Sequence, residues 1–501
     1  MTSRIDRSTL IGAAAFVGLS TDLLFNGSDG PGLNAPLFFA SVAIGVLVVT
    51  RSAGHRPRRE ALAWMAAGVL LAFSFAFRAA PPLLFSAFVT AAAAFAFAAY
   101  RGGANWHARG TVSDFAEAVP ASALHCLFGP FRLVVAAFSE PSDPDDAEER
   151  TGVPVAAVVR GLLIALPLLV VFGALFASAD RFFADAVGTM LGRAAEEWAG
   201  HLIVVLIFSW LAAGFLLGFL DGTRVRERLP LPSSRPTLGP VEVGIALGAV
   251  NLLFAAFVLV QFRYLFGGAT LVESTPGLTY ADHAREGFGQ LAFAAALVLP
   301  LLLAADWLFR PGTDGPRRLV PALGWTLLGL LGVVVASAVQ RVRVYQDAYG
   351  LTESRFYALV FLGWIALAAL WLGLTVLRGR RERFAPVALL SVVAMVGGLQ
   401  IANPDARIAS YNLSRTGIEV DGAFLASLSA DAVPTLIERL PAAPLEAQCT
   451  IARRLLDRWL DREPLDGRSW NASVARARRA VAGASAALQS ATAAGACDAQ
   501  R

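Results

Sequence analysis

The chain has 501 residues, of which 56% are hydrophobic and only 16% are charged. Soluble domains carry about 25% charged residues and disordered chains are more polar still, so both classes are excluded. The formal charge of +4 comes from 42 basic residues, all of them arginine, against 38 acids. Without lysine, the chain cannot use a phosphate-loop lysine, a Schiff base or a catalytic ammonium group.

Long apolar runs predict membrane-spanning helices along most of the chain. A hydrocarbon core about 30 Å thick needs about 20 apolar residues in a helix, and lipid offers no partners for unpaired backbone groups. Residues 1–402 therefore predict an all-α, polytopic transmembrane helical bundle with about eleven spans. The predicted spans are roughly 9–25, 35–50, 61–78, 82–100, 153–178, 198–220, 241–262, 287–309, 319–340, 356–377 and 385–402.

The distribution of arginine predicts the orientation of these spans. With the N-terminus inside, the inner segments hold 21 arginines and the outer loops hold 8. Because cytoplasmic loops are enriched in basic residues, we expect the N-terminus inside and, after eleven spans, the rest of the chain outside. The alanine-rich, lysine-free composition suggests a bacterium, so the expected location is the bacterial cytoplasmic (inner) membrane, with multiple passes.

Residues 403–501 predict a small extracytoplasmic helical appendage. This tail balances 12 arginines with 11 acids and contains three helical patterns. Ser429 or Asp431 is placed to cap the first helix, and Ser469 or Asn471 is placed to cap the third. The short length of the tail leaves open whether it has a core of its own.

Three cysteines divide between the two parts of the chain. Cys126 lies on the predicted inner side, whereas Cys449 and Cys497 lie in the tail. An oxidising compartment permits a Cys449–Cys497 disulfide; the alternative is two free thiols, because Cys497 lies close to the end of the chain. The five histidines are scattered and neither HExxH nor CxxC occurs, so we expect no metal and no cofactor.

Few polar residues lie inside the predicted spans. Asn251 lies near the middle of its span, where it either contacts a ligand or makes an interhelical hydrogen bond, which is the commoner role. The spans contain no chain of carboxylates through the bilayer. This pattern argues against a proton-driven pump.

Polar residues gather instead in three stretches that the predicted topology places on the outer face. The candidates are Arg263, Tyr264, Tyr280, Asp282, Arg285, Tyr345, Asp347, Tyr349, Arg355, Asn403, Asp405, Tyr411, Asn412 and Arg415. Arginine offers a planar fork of donors and tyrosine an amphipathic ring, which together suit phosphates or sugars. The alternative is a structural outer cap, with tyrosines in an interfacial belt and arginines paired to acids.

Several of these stretches resemble one protein family. Gln261–Gly268, Gly277–Phe288, Tyr345–Arg355 and Asn403-Pro404-Asp405 with Tyr411–Arg415 resemble a bacterial membrane family, domain of unknown function 4173, with 4153 as a related label. The resemblance covers roughly residues 150–480. It implies a polytopic helical protein of the bacterial cytoplasmic membrane and implies no established activity.

Three functions are compatible with these patterns. The favoured hypothesis is a non-enzymatic envelope scaffold, sensor or regulator, because no catalytic motif is present. The alternatives are a transporter, or a transferase or ligase acting on a lipid-linked substrate at the outer leaflet. In the enzyme, Arg263, Arg285 and Arg355 would hold phosphate and Asp347 or Asp405 would be the base. The expected partners are membrane lipids and another envelope protein bound through the tail, without nucleic acid.

Overall fold

The computed structural model is an all-α protein. It describes residues 7–100, 112–138, 172–173, 175–176, 178–222, 237–266, 288–309, 318–415 and 420–493. Within these ranges the chain forms helices and turns, and its one β-type contact is an isolated bridge between Leu238 and Phe309. The predicted fold class, an all-α polytopic bundle, is confirmed.

Thirteen helices of the described residues form the bundle. They are α1 (Arg7–Phe25), α2 (Asn34–Ser52), α3 (Arg59–Ala72), α4 (Ser74–Phe77), α5 (Pro81–Ala99), α6 (Val112–Phe128), α7 (Phe131–Phe138), α8 (Arg181–Asp221), α9 (Pro240–Phe266), α10 (Phe288–Leu308), α11 (Leu319–Tyr349), α12 (Glu353–Thr375) and α13 (Phe384–Ala402). Ten segments of the described residues are long and apolar enough to cross a membrane. They match ten predicted spans; the remaining one, 153–178, lies largely outside the described residues.

Two helices of the bundle, α5 and α8, run in the same direction. The membrane-spanning part of α8, Trp198–Asp221, begins beside the end of α1, where His201 Nδ1 lies 2.7 Å from Asp22 Oδ2, and it ends where Asp221 pairs with Arg132 of α7. α5 starts on the same side as α8 and ends against α6, next to α7.

Six further helices follow the bundle and form what we call the cap. They are α14 (Pro404–Leu413), α15 (Gly422–Ser427), α16 (Val433–Arg439), α17 (Leu445–Trp459), α18 (Ala472–Gly483) and α19 (Ser485–Ala493). Their buried apolar residues, such as Ile408, Leu436 and Ile451, form one core. This core also takes in Leu351, from the turn between α11 and α12, and Phe356, from the first turn of α12. The cap is therefore packed onto the bundle and is not a separate appendage.

Two local features set the position of the cap. Asn403 adopts a left-handed conformation, with φ of 49°, so α13 ends there and the chain changes direction. The Asn403 side chain then accepts from the Ala406 amide, and Pro404 occupies the first turn of α14. A side-chain cap and an early proline both favour helix initiation. The cap therefore begins directly at the end of the last span.

Candidate functional site

The turn between α11 and α12 forms the floor of the candidate site. The sequence predicts a loop over 343–356, but α11 stays helical to Tyr349 and only three residues separate it from α12. Gly350 has φ of 79°, which L side chains rarely adopt, and a Cβ there would overlap Asn412 Oδ1. Glycine is thus required for the close approach of the turn to α14.

Asn412 holds this turn against the cap through both ends of its amide. Its Oδ1 accepts from the Leu351 amide at 2.8 Å, and its Nδ2 donates to the Leu351 carbonyl at 2.7 Å. The side chain replaces both backbone partners of a residue that lies between two helices. Asn412 therefore fixes the α11–α12 turn relative to α14.

Two arginines converge on the same turn from different elements. Arg355, in the first turn of α12, donates to the Gly350 carbonyl, and its Cζ lies 4.1 Å from the centre of the Tyr345 ring. Arg415, after α14, donates to the Asp347 carbonyl, and its Cζ lies 5.8 Å from the centre of the Tyr411 ring. Ring faces attract cations, so both guanidinium groups are held in place.

These groups border a cavity of about 270 Å³, which we call the cap pocket. Its lining residues are Tyr349, Gly350, Leu351, Thr352, Arg355, Asn412, Arg415, Val420, Asp421, Phe424 and Leu425. The carboxylate of Asp421 accepts from the Phe424 amide at 2.8 Å and caps α15. With two guanidinium groups and the hydroxyl groups of Tyr349 and Thr352, the pocket is suited to a small anionic group.

The structure brings together some of the predicted candidates and not others. Tyr345, Asp347, Tyr349, Arg355, Tyr411, Asn412 and Arg415 lie in or directly beside the cap pocket. Asn403 and Asp405 lie instead at the junction of cap and bundle described next. The side chains of Arg263 and Tyr264, and the residues Tyr280, Asp282 and Arg285, lie outside the described residues.

The sequence patterns did not predict a buried polar network at the junction of cap and bundle. Asp431, 4% exposed, accepts from the amides of Ala79 and Ala80 at 2.8 and 3.1 Å. It also accepts from Ser473 Oγ at 2.6 Å and lies 3.5 Å from Arg78 Nη1. The prediction that Ser429 or Asp431 caps α16 is wrong, because Ala432 occupies that position without a side-chain bond. The Asp431 carboxylate instead accepts from the two backbone amides just before α5.

Asn471 completes the junction from the other side of the network. Its Oδ1 accepts from the amides of Ser473 and Val474, so Asn471, and not Ser469, caps α18. Its Nδ2 donates to the carbonyls of Phe75 and Arg78, both at 2.7 Å. One side chain thus starts a cap helix and ties it to the end of α4.

Asp405 is the most buried acid of the junction. It is 0% exposed, and its Oδ2 accepts from the Ser429 amide at 3.0 Å. Its Oδ1 has no hydrogen-bond partner among the described residues. Burial raises the pKa of the Asp405 carboxyl, and the charge of Asp431 raises it further, against the lowering effect of hydrogen bonds from Ser429. This position is costly for an ionised carboxylate.

The remaining candidates have structural surroundings. Nδ2 of Asn251 donates to the carbonyl of Leu247 in its own helix at 2.8 Å and to that of Leu323 in α11 at 3.1 Å. Cys449 is disulfide-bonded, while Cys126 is a free thiol whose pKa is raised to about 11 by burial. Cys497 lies outside the described residues, so its pairing with Cys449 stays a prediction. Within the described ranges no three potential metal ligands cluster.

One comparison with known proteins gives a match. A family model described as Domain of unknown function (DUF4153) matches residues 65–439. The match begins in α3 and ends with α16, so it includes the described lining of the cap pocket. It confirms the resemblance inferred from the sequence motifs, under the label 4153. No curated protein and no solved structure matches the chain.

Proposed function

Because the chain belongs to the DUF4153 family, whose description assigns no activity, we propose a function from the site itself. This multi-pass membrane protein acts by binding. It is a non-enzymatic sensor, regulator or scaffold of the bacterial envelope that recognises an anionic group in the cap pocket. The observation that carries the proposal is the convergence of Arg355 and Arg415 on one cavity.

The geometry of the pocket favours a small anionic group. The arginines come from α12 and from the segment after α14, and each is steadied by a backbone carbonyl and a tyrosine ring. Guanidinium groups held in this way form directional hydrogen bonds to phosphate or carboxylate oxygens. A cavity of about 270 Å³ is near the lower end of ligand sites, which span about 300–1,000 Å³. It suits a phosphate- or carboxylate-bearing group better than a bulky substrate.

Binding is favoured over catalysis and transport by the roles of two residues. Asp421, the acid that lines the pocket, uses its carboxylate as a helix cap. Asn251 donates both to its own helix and to a neighbouring helix, which is a packing role typical of polar residues inside membranes. Asp347 and Asp405, the bases that the enzyme alternative needs, do not line the pocket, and the bonds of Asn251 do not favour the substrate path that a transporter needs.

We also propose that the cap faces the outside of the cell. The arginine bias supports this orientation, and the cap lies against the α1–α2 loop, where the Leu33 amide donates to the Trp470 carbonyl at 3.1 Å. Residues 26–33 of that loop contain no arginine. Alkaline phosphatase fused after residue 493 should be active in intact cells. An inactive fusion at normal expression would refute this orientation.

The binding proposal can be tested by complementation of a deletion strain. Arg415→Gln should fail to restore the phenotype while reaching normal membrane levels, because glutamine keeps a polar side chain but removes the charge. The matched control is Arg407→Gln in α14, an exposed arginine whose Nε donates to the Ala402 carbonyl at 2.7 Å away from the pocket. Full complementation by Arg415→Gln would refute the proposal.

A binding measurement on the purified full-length protein complements the genetic test. Phosphate, sn-glycerol 3-phosphate, sulfate and citrate should be screened for a rise in melting temperature, since a ligand that binds only the folded state stabilises it. At least one anion should raise the melting temperature of wild type and of Arg407→Gln. The same anion should lose this effect with Arg355→Gln and with Arg415→Gln. An equal rise in all four proteins would place binding elsewhere.

A further inference from the structure

A second cavity lies on the side of the bundle, away from the cap pocket. It is a groove of about 640 Å³ between α3–α4 and α13. Its walls are mainly apolar, and Leu70 and Ile401 on its rims are 69% and 85% exposed. Because both helices are candidate spans, these exposed side chains face the hydrocarbon of the membrane. The groove is therefore open to lipid along its length.

The length of the groove matches one leaflet of a bilayer. Its α3–α4 wall runs from Ala67 to Arg78. Ten helical steps of 1.5 Å, from Ala67 to Phe77, cover about 15 Å, and half of a hydrocarbon core about 30 Å thick is also about 15 Å. The groove thus extends from the cap side to about the middle of the membrane.

The end of the groove at the cap is cationic. Arg78 and Arg476 both line it. Arg78 is largely buried, donates to the Gln400 carbonyl at 2.7 Å and is paired with Asp431 at 3.5 Å. Arg476, on cap helix α18, is exposed, and its described hydrogen bonds go to the carbonyls of Ala472 and Phe77 at 3.2 and 3.5 Å. One acid against two arginines leaves a positive charge at the mouth.

Gln400 lies on the wall of the groove at the boundary between its apolar and cationic parts. Both polar atoms of its carboxamide are buried and have no hydrogen-bond partner among the described residues. Because these two atoms have almost no accessible surface, a molecule in the groove does not reach them, and the groups it contacts are the apolar walls and the arginines at the mouth.

We propose that this groove binds an anionic glycerophospholipid from the leaflet on the cap side. One acyl chain lies between α3–α4 and α13, and the headgroup phosphate meets Arg476. The charge of the mouth selects an anionic headgroup over a zwitterionic one. This site is separate from the cap pocket and does not depend on the proposed function, and the lipid would join the cap to the bundle.

A glycine in the groove permits a test that blocks the cavity without disturbing the fold. A Cβ placed on Gly397 would meet no atom within 4 Å, so Gly397→Leu fills the groove instead of clashing with the chain. The matched control is Gly398→Leu, the next residue of α13, which also has open space around its Cβ and does not line the groove. Both variants place the same side chain in the same helix.

The assay is native mass spectrometry of the full-length protein, delipidated in detergent and titrated with dioleoylphosphatidylglycerol or dioleoylphosphatidylcholine. Wild type should bind phosphatidylglycerol at least tenfold more tightly than phosphatidylcholine. Gly397→Leu should weaken phosphatidylglycerol binding at least tenfold, and Gly398→Leu should stay within twofold of wild type. Arg476→Gln should weaken phosphatidylglycerol binding about fivefold, as expected for one basic residue near a lipid headgroup. Arg479→Gln, an exposed arginine of α18 outside the groove, should have no effect.

Three results would overturn the proposal. Equal binding of the two lipids would show that the groove does not recognise an anionic headgroup. Unchanged phosphatidylglycerol binding by Gly397→Leu would show that the lipid binds elsewhere. If both glycine variants lose binding equally, the loss reflects damage to α13, and the comparison of Arg476→Gln with Arg479→Gln then tests the headgroup site. In that case, equal effects of Arg476→Gln and Arg479→Gln would exclude the mouth of the groove as the headgroup site.

Discussion

The Asp431 carboxylate is the part of the junction whose removal should matter most. Its oxygens accept from the amides of Ala79 and Ala80 and from the Ser473 hydroxyl, and they lie 3.5 Å from Arg78 Nη1. With 4% exposure, the carboxylate is shielded from water in the folded protein. Asp431→Ala would leave two amides and an arginine without their partner, in a place where the cap meets the bundle.

The size of the effect follows from these losses. A buried donor left without a partner costs about 1–3 kcal/mol, and removing one member of a buried ion pair costs about 3–5 kcal/mol. The two estimates overlap because they count the same carboxylate, and Arg78 keeps its bond to the Gln400 carbonyl. We therefore expect Asp431→Ala to weaken the docking of the cap by about 3–5 kcal/mol. Asp431→Asn, which keeps one acceptor oxygen, should lose about 1–2 kcal/mol.

Limited trypsin digestion of the full-length protein in detergent measures this docking. In the segment between α17 and α18, docking protects Arg468, whose guanidinium donates to the bundle carbonyls of Leu23 and Asn26 at 2.6 and 3.1 Å, so cleavage after Arg468 is measured. If cleavage follows the population of the undocked cap, a loss of 3 kcal/mol raises the cleavage rate about 100-fold. Asp457→Ala is the control, since Asp457 is exposed on α17, away from the junction; such surface changes stay within about 0.5 kcal/mol. Equal cleavage rates for Asp431→Ala and Asp457→Ala would refute the role given to the carboxylate.

Three further predictions concern other parts of the cap. Gly350→Ala combines a φ of 79° with overlap on Asn412 Oδ1, so it should lower stability by about 1–3 kcal/mol in thermal unfolding, and an unchanged melting temperature would contradict the clamp. Asp405 has a pKa raised by burial, so the folded state binds its proton more tightly than the unfolded state. Wild type should gain stability relative to Asp405→Asn as the pH falls from neutral through the raised pKa to the ordinary value of 3.8, and a pH-independent difference between their melting curves would rule this out. Cys449→Ser should cost the cap about 4 kcal/mol if the bridge to Cys497 closes its predicted loop of about 50 residues, and peptide mapping without reductant would identify the partner.

The fold could be predicted well because the bilayer leaves a membrane-spanning backbone few possible conformations. Every backbone group in hydrocarbon must pair within its own helix, so runs such as 35–50 and 385–402 had to be helical. The ends of the helices were less predictable. α11 runs nine residues past its predicted end at 340 to Tyr349, because polar residues continue a helix once it leaves the hydrocarbon.

The candidate site was only partly predictable. Arginine and tyrosine at the ends of predicted spans pointed to Tyr349, Arg355 and Arg415, and these residues do line one pocket. The pairing of Asn412 with Leu351, 61 residues earlier, has no local signal. Asp431 was misread for a similar reason: a carboxylate just before a helix usually caps it, but here a closer set of donors lies on another helix.

The sequence alone determined that the protein is helical, that it spans a membrane repeatedly, and which chemical groups gather at the ends of its spans. These properties follow from local composition, since hydrophobic length and helical pairing act within one segment. The tertiary structure decided that the tail is a docked cap, that Arg355 and Arg415 share a cavity, and that Arg476 overhangs a groove made by α3–α4 and α13. Contacts between residues hundreds of positions apart, such as Asn471 with Phe75, depend on how the helices pack. The packing is set by shape and by buried hydrogen bonds that no single segment encodes.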